Sequence, residues 1–289
     1  SIMTGWLIYR KKDLEKNKRY INFYLEEGSH MGIHIKLILV ENLYFGIRDN
    51  KLFINYKGER IDKPDFAINR SIYPLLSKHL EDMHITVYNN SKVAEICNDK
   101  GKTHQYRAKY GIPMVDTRFL KGDMLYEAFD RIKEATVIKG VSGHGGNQVF
   151  LYDPRKSSHK EKEKILSKLK DTHVVIQPLV GKQDLRVYII GDKIIAGILR
   201  TAKSGFKSNY SLGGEVREYL LSTKEKKLVK DIIKQFQFGL VGIDFLIQED
   251  GSLLFNEIED VVGARMLYQC TDINIVGLYL NHIRNDLLR

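Results

Sequence analysis

The chain has 289 residues, and 46 lysines and arginines against 36 aspartates and glutamates give it a formal net charge of +10. Hydrophobic residues make up 43% and charged residues 28%, which excludes a disordered chain. Only two cysteines occur, Cys97 and Cys270, without a CxxC arrangement, which excludes a disulfide-rich secreted scaffold and a cysteine zinc site. Cysteine usage, together with the lack of a long apolar run or a signal-peptide pattern, predicts a cytoplasmic protein with no membrane partner.

The first hundred residues alternate between strand patterns and helix patterns. The predicted strands lie at 6–9, 33–40, 44–47, 51–56, 64–68 and 85–88, and the predicted helices at 17–28 and 72–83. The strands at 44–47 and 51–56 are separated by a short polar turn, which predicts a β-hairpin. Strands separated by helices predict a small, mainly parallel α/β domain.

The pattern changes near residue 89, where helices are predicted from residue 92 and over 103–110. Longer strands are then predicted at 135–139, 149–152, 174–179, 185–190, 193–200, 241–247 and 252–258, with charged helices at 153–170 and 223–237. Lysines alternate with acids along these two helices, which indicates solvated faces and argues against a nucleic-acid-binding stripe.

A lysine and a glycine-rich turn follow one another between two predicted strands. Lys139 ends the strand at 135–139, and four glycines lie within 140–146. Glycines let backbone N–H groups approach a phosphate, and the lysine adds a positive charge. The segment indicates a phosphate-binding loop, with a plain flexible hairpin as the alternative. A Walker A motif is excluded, because Ile96 occupies the position of its first glycine.

Three acids lie in two successive apolar strands. Asp244 lies in one strand, and Glu257 and Glu259 share a face of the next because they are two residues apart. A turn at 248–252 predicts antiparallel pairing, which places Asp244 opposite the other two. Carboxylates that converge among apolar residues need a cation, and oxygen ligands suit Mg²⁺. The alternative is that one or more of these acids face solvent.

A third group combines cations with an amide on or just after predicted strands. Its members are Arg186, Arg200, Lys203, Lys207 and Asn209. Such donors fit a phosphate chain or a developing acyl phosphate, whereas each cation taken alone fits an ordinary surface charge.

These clusters, in this order, resemble the ATP-grasp superfamily and most closely its RimK-type amino-acid ligases. The likeness covers roughly residues 89–289, including the segments 98–100, 110–117, 139–146, 175–200, 205–214, 242–245 and 255–259. It implies an α/β chain with an ATP-grasp fold: an N-terminal parallel α/β pre-ATP-grasp domain over 1–95 and an ATP-grasp domain over 96–289. The latter would divide into a central subdomain at 112–178 and a C-terminal subdomain at 179–289.

The resemblance also implies residue roles. The residues expected to bind ATP are Lys100 and Lys139 at the phosphates, Gly143 and Gly145 in the closing loop, Gln177, Pro178 and Leu179 in a hinge beside adenine, Asp184 near the ribose, and Lys207 at a phosphate. The residues expected to act in catalysis are Arg200, Lys207 and Asn209. The metal ligands would be Asp244, Glu257 and Glu259, which would bind two Mg²⁺ ions, with Mn²⁺ as an alternative.

Three positions depart from the family pattern. Pro178 stands where many members have glutamate, so adenine would depend more on main-chain contacts. Glu259 stands where asparagine is common, which adds a negative charge to the metal site. The segment 260–263 lacks the usual Ser-Pro before glycine, which affects the acceptor side.

The implied reaction is ATP-dependent joining of a carboxylate to an amine through an acyl phosphate, with release of ADP and phosphate. The expected partners are ATP, an amino-acid or peptide-like carboxylate and an amine acceptor, while homo-oligomerisation is left open. The alternatives are an ATP-grasp kinase acting on a hydroxyl and a basic nucleic-acid-binding regulatory protein. The latter would need aromatic residues interleaved with clustered basic ones, so nucleic acid is disfavoured as a partner.

Overall fold

The computed structural model describes residues 2–142, 148–202 and 214–289. Its N-terminal elements are, in chain order, β1 (Met3–Tyr9), α1 (Lys18–His30), β2 (Ile33–Leu39), β3 (Leu43–Arg48), β4 (Lys51–Tyr56), β5 (Glu59–Arg60), β6 (Phe66–Asn69), α2 (Pro74–Asp82) and β7 (Thr86–Tyr88). Strands β1, β2, β6 and β7 form a parallel sheet in the order β2-β1-β6-β7. Strands β3 to β5 form a separate antiparallel sheet that contains the predicted hairpin. The prediction of a parallel α/β arrangement in this part of the chain is confirmed.

The middle of the chain begins with two short helices and then forms a second sheet. Its elements are α3 (Ser91–Cys97), α4 (Lys100–Ala108), β8 (Arg118–Lys121), α5 (Leu125–Phe129), β9 (Thr136–Gly140), β10 (Val149–Tyr152), α6 (His159–Leu169) and β11 (His173–Pro178). The four strands form an antiparallel sheet in the order β10-β9-β11-β8.

The C-terminal part forms the largest sheet among the described residues. Its elements are β12 (Gln183–Ile190), β13 (Lys193–Thr201), β14 (Glu215–Tyr219), α7 (Thr223–Ile233), β15 (Leu240–Ile247), β16 (Leu253–Glu259), α8 (Arg265–Cys270) and α9 (Ile275–Leu287). The five strands are antiparallel, in the order β14-β13-β12-β15-β16. Strands β12, β15 and β16 therefore lie side by side and carry their polar residues to one place.

Two helix starts differ from the sequence prediction. The helix predicted over 153–170 begins at His159, because Asp153 and Ser157 form a turn in which the Ser157 amide donates to the Asp153 carbonyl at 2.7 Å. The helix predicted over 103–110 begins earlier, at Lys100, because the Asp99 carboxylate accepts from the Lys102 amide at 2.9 Å and caps it. This early start places Lys100 in the first turn of α4.

One apolar core joins the first sheet to the last. Its buried members include Leu7 and Phe66 from the parallel sheet, Tyr188 from β12, and Tyr279 and Ile283 from α9. Helix α9 was not predicted from sequence, yet it packs against α1 and β12 and bridges the two sheets. Burial of this shared apolar surface sets the position of the first sheet relative to the polar end of the last one.

Candidate active site

Three carboxylates converge on neighbouring strands of the C-terminal sheet. Asp244 on β15 is the cross-strand partner of Glu257 on β16, and Glu259 lies two residues further along β16. One oxygen from each of the three acids lies within 4.8 Å of the others. The i, i+2 spacing and the antiparallel hairpin produce this arrangement, so the structure brings the three predicted metal ligands together.

Arginines hold the most buried of these acids. Asp244 is only 1% exposed, and Arg186 donates to both of its carboxylate oxygens, each at 2.9 Å. Arg200 Nη2 lies 3.5 Å from Asp244 Oδ2, and Arg186 Nη2 lies 3.9 Å from Glu259 Oε1. A bidentate guanidinium–carboxylate pair of this kind orients both groups.

The two glutamates on β16 have opposite pKa shifts. Burial disfavours the charge of Glu257, but the positive charges of Lys100 and Lys139 outweigh burial and hold its pKa below the usual range. Burial and the negative charge of Glu257 raise the pKa of Glu259 to about 8. A buried carboxyl group beside a second negative charge keeps its proton, because its own negative charge is unfavourable there. An added divalent cation would offset it.

Two lysines reach the acids from different elements. Lys139 lies on β9, where its Nζ donates to Asn256 Oδ1 at 3.1 Å, and burial lowers its pKa to about 8. Lys100 Nζ lies 3.6 Å from Glu257 Oε2. The Lys100 amide donates to the Val141 carbonyl at 3.0 Å, which ties the start of α4 to the end of β9. Gly143, Gly145, Lys203, Lys207 and Asn209 lie outside the described residues.

Arg200 and Asp184 form a second bidentate pair across β12 and β13. Arg200 Nε and Nη2 donate to the two Asp184 oxygens at 2.7 and 2.9 Å, and both residues are buried. Both oxygens of the predicted ribose-binding acid are therefore already held by Arg200. The visible effect of Asp184 is to orient the guanidinium beside the three acids, and its ribose contact stays a prediction.

The predicted hinge residues end β11. Gln177 is buried, and its side-chain amide donates to Thr117 Oγ1 at 3.0 Å. Pro178 has no N–H, and the Leu179 amide donates to the Ala135 carbonyl at 3.1 Å. Neither residue therefore has a free backbone N–H, and their contact with adenine stays a prediction.

Sequence reasoning missed a buried hydrogen-bond network directly after β16, the strand that carries Glu257 and Glu259. Asp260 accepts from Asn89 Nδ2 and Asn98 Nδ2, each at 2.7 Å, and Asn89 also donates to the Leu240 carbonyl at 2.9 Å. Burial raises the pKa of Asp260. The network connects β7, α3 and β15 to the end of β16, so it positions the acids. Its one sequence signal was an acid immediately following Glu259.

Of the three acids, Glu259 lines a cleft of about 1040 Å³ between the first and last sheets. Its lining includes Arg186, Arg200 and Glu259 from the last sheet, and Arg10 and Arg70 from the ends of β1 and β6. The cleft has room for a nucleotide end together with a small substrate.

Comparison with known proteins identifies the family. The sequence profile of the RimK-like ATP-grasp domain matches residues 97–283, which is more than half of the chain. The chain belongs to the RimK-like ATP-grasp family. This match confirms the resemblance inferred from the motifs. Separately, within the described ranges no helix is long and apolar enough to cross a bilayer.

Relatives of this RimK-like chain include two bacterial proteins and a solved ligase. The uncharacterized protein MG011 of Mycoplasma genitalium is 29% identical over 278 residues, covering 94% of this chain and 89% of its own length. A probable alpha-L-glutamate ligase of Legionella pneumophila is 28% identical over 272 residues, covering 89% and 88%. The VanG D-Ala:D-Ser ligase of Enterococcus faecalis is 14% identical, with a TM-score of 0.75 over 98% of this chain and 99% of its own.

The structural likeness confirms the predicted mixed α/β ATP-grasp fold. Family and fold together support ATP-dependent ligation of a carboxylate to an amine. Neither favours the kinase or the nucleic-acid-binding alternative.

Proposed function

We propose that this RimK-like chain activates a substrate carboxylate with Mg-ATP at the three acids and transfers the acyl group to an amine. The observation that carries the proposal is the convergence of Asp244, Glu257 and Glu259 with two lysines, beside the cleft that Glu259 lines. No nucleophilic serine or cysteine is needed, because the γ-phosphate of ATP supplies the activation.

Lys100 and Lys139 would hold the phosphates. They approach the acids from α4 and β9, so both ammonium groups are positioned before ATP binds. Gly143, Gly145 and Lys207 are assigned to the phosphates, and Asn209 to catalysis, by family likeness alone. Gln177, Pro178 and Leu179 are assigned to the base on the same ground, and Asp184 to the ribose.

The acid cluster fits Mg²⁺. Its donors are all carboxylate oxygens, and burial together with the negative charge of Glu257 raises the pKa of Glu259, which a bound cation would counteract. Held by Asp244, Glu257 and Glu259, the metal would lower the cost of charge build-up during phosphoryl transfer. Two ions would offset the charge that a triphosphate adds, and Mn²⁺ is the alternative ion.

The reaction proceeds in two balanced steps. The substrate carboxylate oxygen attacks the γ-phosphorus, and the bond to the β–γ bridging oxygen breaks as ADP leaves. The amine nitrogen then attacks the acyl carbon, and the amine loses a proton as the C–N bond forms and inorganic phosphate leaves. Arg200, oriented by Asp184, stabilises the transferred phosphoryl group and the oxyanion.

One substrate is an amino acid in this proposal. The Legionella relative is described as a probable alpha-L-glutamate ligase, and the cleft carries several cations that suit carboxylates. The proposal also includes a peptide carboxylate as an alternative substrate, an oligomeric assembly and a cytoplasmic location.

An ADP-release assay tests the proposed function. Mg-ATP is combined with each of the common amino acids, singly and in pairs, and with short peptides, and the products are weighed by mass spectrometry. We expect ADP and phosphate in equal amounts, with a product whose mass equals the two substrates minus water. Turnover with a polyol, giving ADP without free phosphate, would replace ligation with kinase activity.

Replacing Lys139 with methionine should weaken ATP binding. The variant Lys139→Met keeps the buried volume and removes the charge, so the KM for ATP should rise roughly 10–100-fold. In the wild type, kcat/KM for ATP should fall as the pH rises through about 8, because the lowered pKa of Lys139 leaves it uncharged above that value. The variant should lose this alkaline decline.

Exposed Lys121 on β8, the edge strand of the same sheet, provides the control, because it lies outside the site. Lys121→Met should leave both the KM for ATP and the pH profile unchanged. An unchanged KM for ATP in Lys139→Met would contradict the phosphate role of Lys139.

Glu259 should make metal binding dependent on pH. Because its pKa is raised to about 8, Glu259 carries a proton below that pH, and a bound metal must displace this proton. The affinity for Mg²⁺ should therefore increase with pH up to about 8, by at most about tenfold per pH unit. In Glu259→Asn this dependence should largely vanish between pH 6 and 8. Calorimetric titration with Mg²⁺ measures it, and equal slopes in the two proteins would refute the expectation.

A further inference from the structure

The parallel sheet reverses its strand order at the cleft. From β1 the chain moves to β2 on one side and later crosses to β6 on the other side, so the reversal lies between β1 and β6. In open parallel sheets, ligands bind outside the carboxyl ends of the strands at such a reversal. The residues that directly follow these two strands are Arg10 and Arg70, and both line the cleft.

Arg70 is a buried cation without an acidic partner in the described part of the chain. It is 9% exposed, and its guanidinium lies 5.7 Å from the Tyr9 ring centre and 5.1 Å from that of Tyr20. Nη2 donates to the Val262 carbonyl at 3.2 Å, while Nε is buried without an acceptor. No described aspartate or glutamate forms a salt bridge with Arg70. A guanidinium so placed loses hydration without gaining a salt bridge, and Asp260 interacts with its charge only from beyond salt-bridge distance.

The other buried arginines of the cleft differ from Arg70. Arg186 and Arg200 are each held by a carboxylate through two hydrogen bonds. Their charge is already offset within the protein. An anionic group entering the cleft therefore gains most by pairing with Arg70.

The turn that carries Arg70 is held in place. Asn69 donates to Ser77 Oγ at 2.9 Å and accepts from the Ser71 amide at 3.0 Å. Arg10 Nε donates to the Ser71 carbonyl at 2.9 Å, so a second cation lies beside the same turn. These contacts preorganise the two arginines, and a ligand would not have to order them.

We propose that Arg70, with Arg10 beside it, is a carboxylate-binding subsite for the amino-acid acceptor. The inference rests on the proposed ligase function and adds to it the recognition of a carboxylate that does not react. The reacting carboxylate must reach the γ-phosphate beside the three acids, none of which forms a salt bridge with Arg70. The hydrogen bond from Arg70 to Val262, three residues after Glu259, places the subsite beside the loop that follows β16. An acceptor held there by its carboxylate would point its amine toward the acyl phosphate.

The test compares the best acceptor in the ADP-release assay with its α-carboxamide and, for an acidic acceptor, with its side-chain amide. In the wild type, one of these amides should have a KM about 10–100-fold higher than that of the free acceptor. In Arg70→Gln the free amino acid should show the same increase in KM, so that acid and amide become equal, while kcat changes only a few-fold. Arg70→Lys keeps the charge without the planar fork and should retain part of the preference.

Lys12→Gln is the matched control, because Lys12 is an exposed cation on the rim of the same cleft. Lys12→Gln should keep the full preference for the free acid over its amide. If Lys12→Gln loses this preference as completely as Arg70→Gln does, the preference is a general electrostatic effect and the subsite is overturned. A wild type that does not distinguish acid from amide, or an Arg70→Gln variant that still does, overturns the subsite and leaves the ligase intact. If Arg70→Gln does not fold, a full preference in Arg70→Lys with an unchanged KM overturns it equally. Absence of any condensation in the wild type would instead refute the proposed function and, with it, the subsite.

Discussion

Replacing Glu257 with glutamine is expected to reduce ATP-dependent turnover by about 10²–10³-fold or more. Glu257 is the central acid of the cluster: it pairs across strands with Asp244, shares a face with Glu259 and lies 3.6 Å from Lys100. Its pKa lies below the usual range, because nearby lysines outweigh burial, so it is charged at every pH at which the enzyme is assayed. Glutamine keeps the shape but removes that charge. Rates of ADP release at saturating Mg-ATP measure the effect.

Two comparisons make the Glu257→Gln result interpretable. Glu249→Gln changes an exposed acid in the turn between β15 and β16, and it should leave turnover unchanged. The far-ultraviolet circular dichroism and the melting temperature should show that both variants fold. Wild-type turnover in a folded Glu257→Gln protein would remove Glu257 from the metal site.

The largest expected loss of stability follows from replacing Arg186 with methionine. Asp244 is 1% exposed and receives two hydrogen bonds from Arg186, so the variant leaves a buried carboxylate without its main partner. The free energy of unfolding should fall by roughly 3 kcal/mol, at the lower end of the usual range because Arg200 still lies 3.5 Å from Asp244. Denaturant titration in the absence of divalent ions measures the change.

Mg²⁺ and a second substitution separate charge from packing in this result. Because the metal would itself offset Asp244, Mg²⁺ should raise the melting temperature of Arg186→Met more than that of the wild type. The double variant Arg186→Met/Asp244→Leu removes both charges and should regain most of the lost stability. A single variant as stable as the wild type would show that the pair contributes little to folding.

The structure also explains why the site is assembled from several parts of the chain. Lys139 comes from the second sheet, Lys100 from the first turn of α4, and the acids from the last sheet. The helix start at Lys100 and its contact with Val141 bring the first two together. Each contributor is therefore positioned by a different set of packing contacts, which suits a cleft that must admit ATP and a substrate.

Local patterns in the sequence were sufficient for much of the fold. Apolar spacing located the strands of the parallel sheet and the long strands of the last sheet, because strand and helix periodicities depend only on near neighbours. The start of α6 was misjudged, since Asp153 and Ser157 form a turn where the composition favours a helix. Strands β8 and β14 were missed because both are short edge strands without a buried, alternating pattern. The proposed domain boundaries stay a prediction, and the core shared by the first and last sheets runs across them.

The candidate site also has one part that local sequence patterns predict and another part that depends on tertiary packing. Sequence alone determined that Asp244, Glu257 and Glu259 would meet, because an i, i+2 spacing and a short hairpin are local constraints on neighbouring strands. Only the tertiary structure decided which cations those acids would meet. The contacts of Arg186 with Asp244 and of Lys139 with Asn256 join positions 58 and 117 residues apart, and no local pattern specifies such pairs. The state of Arg70 is likewise a tertiary property, because its burial without a salt bridge to any described acid depends on how the first sheet packs against the last.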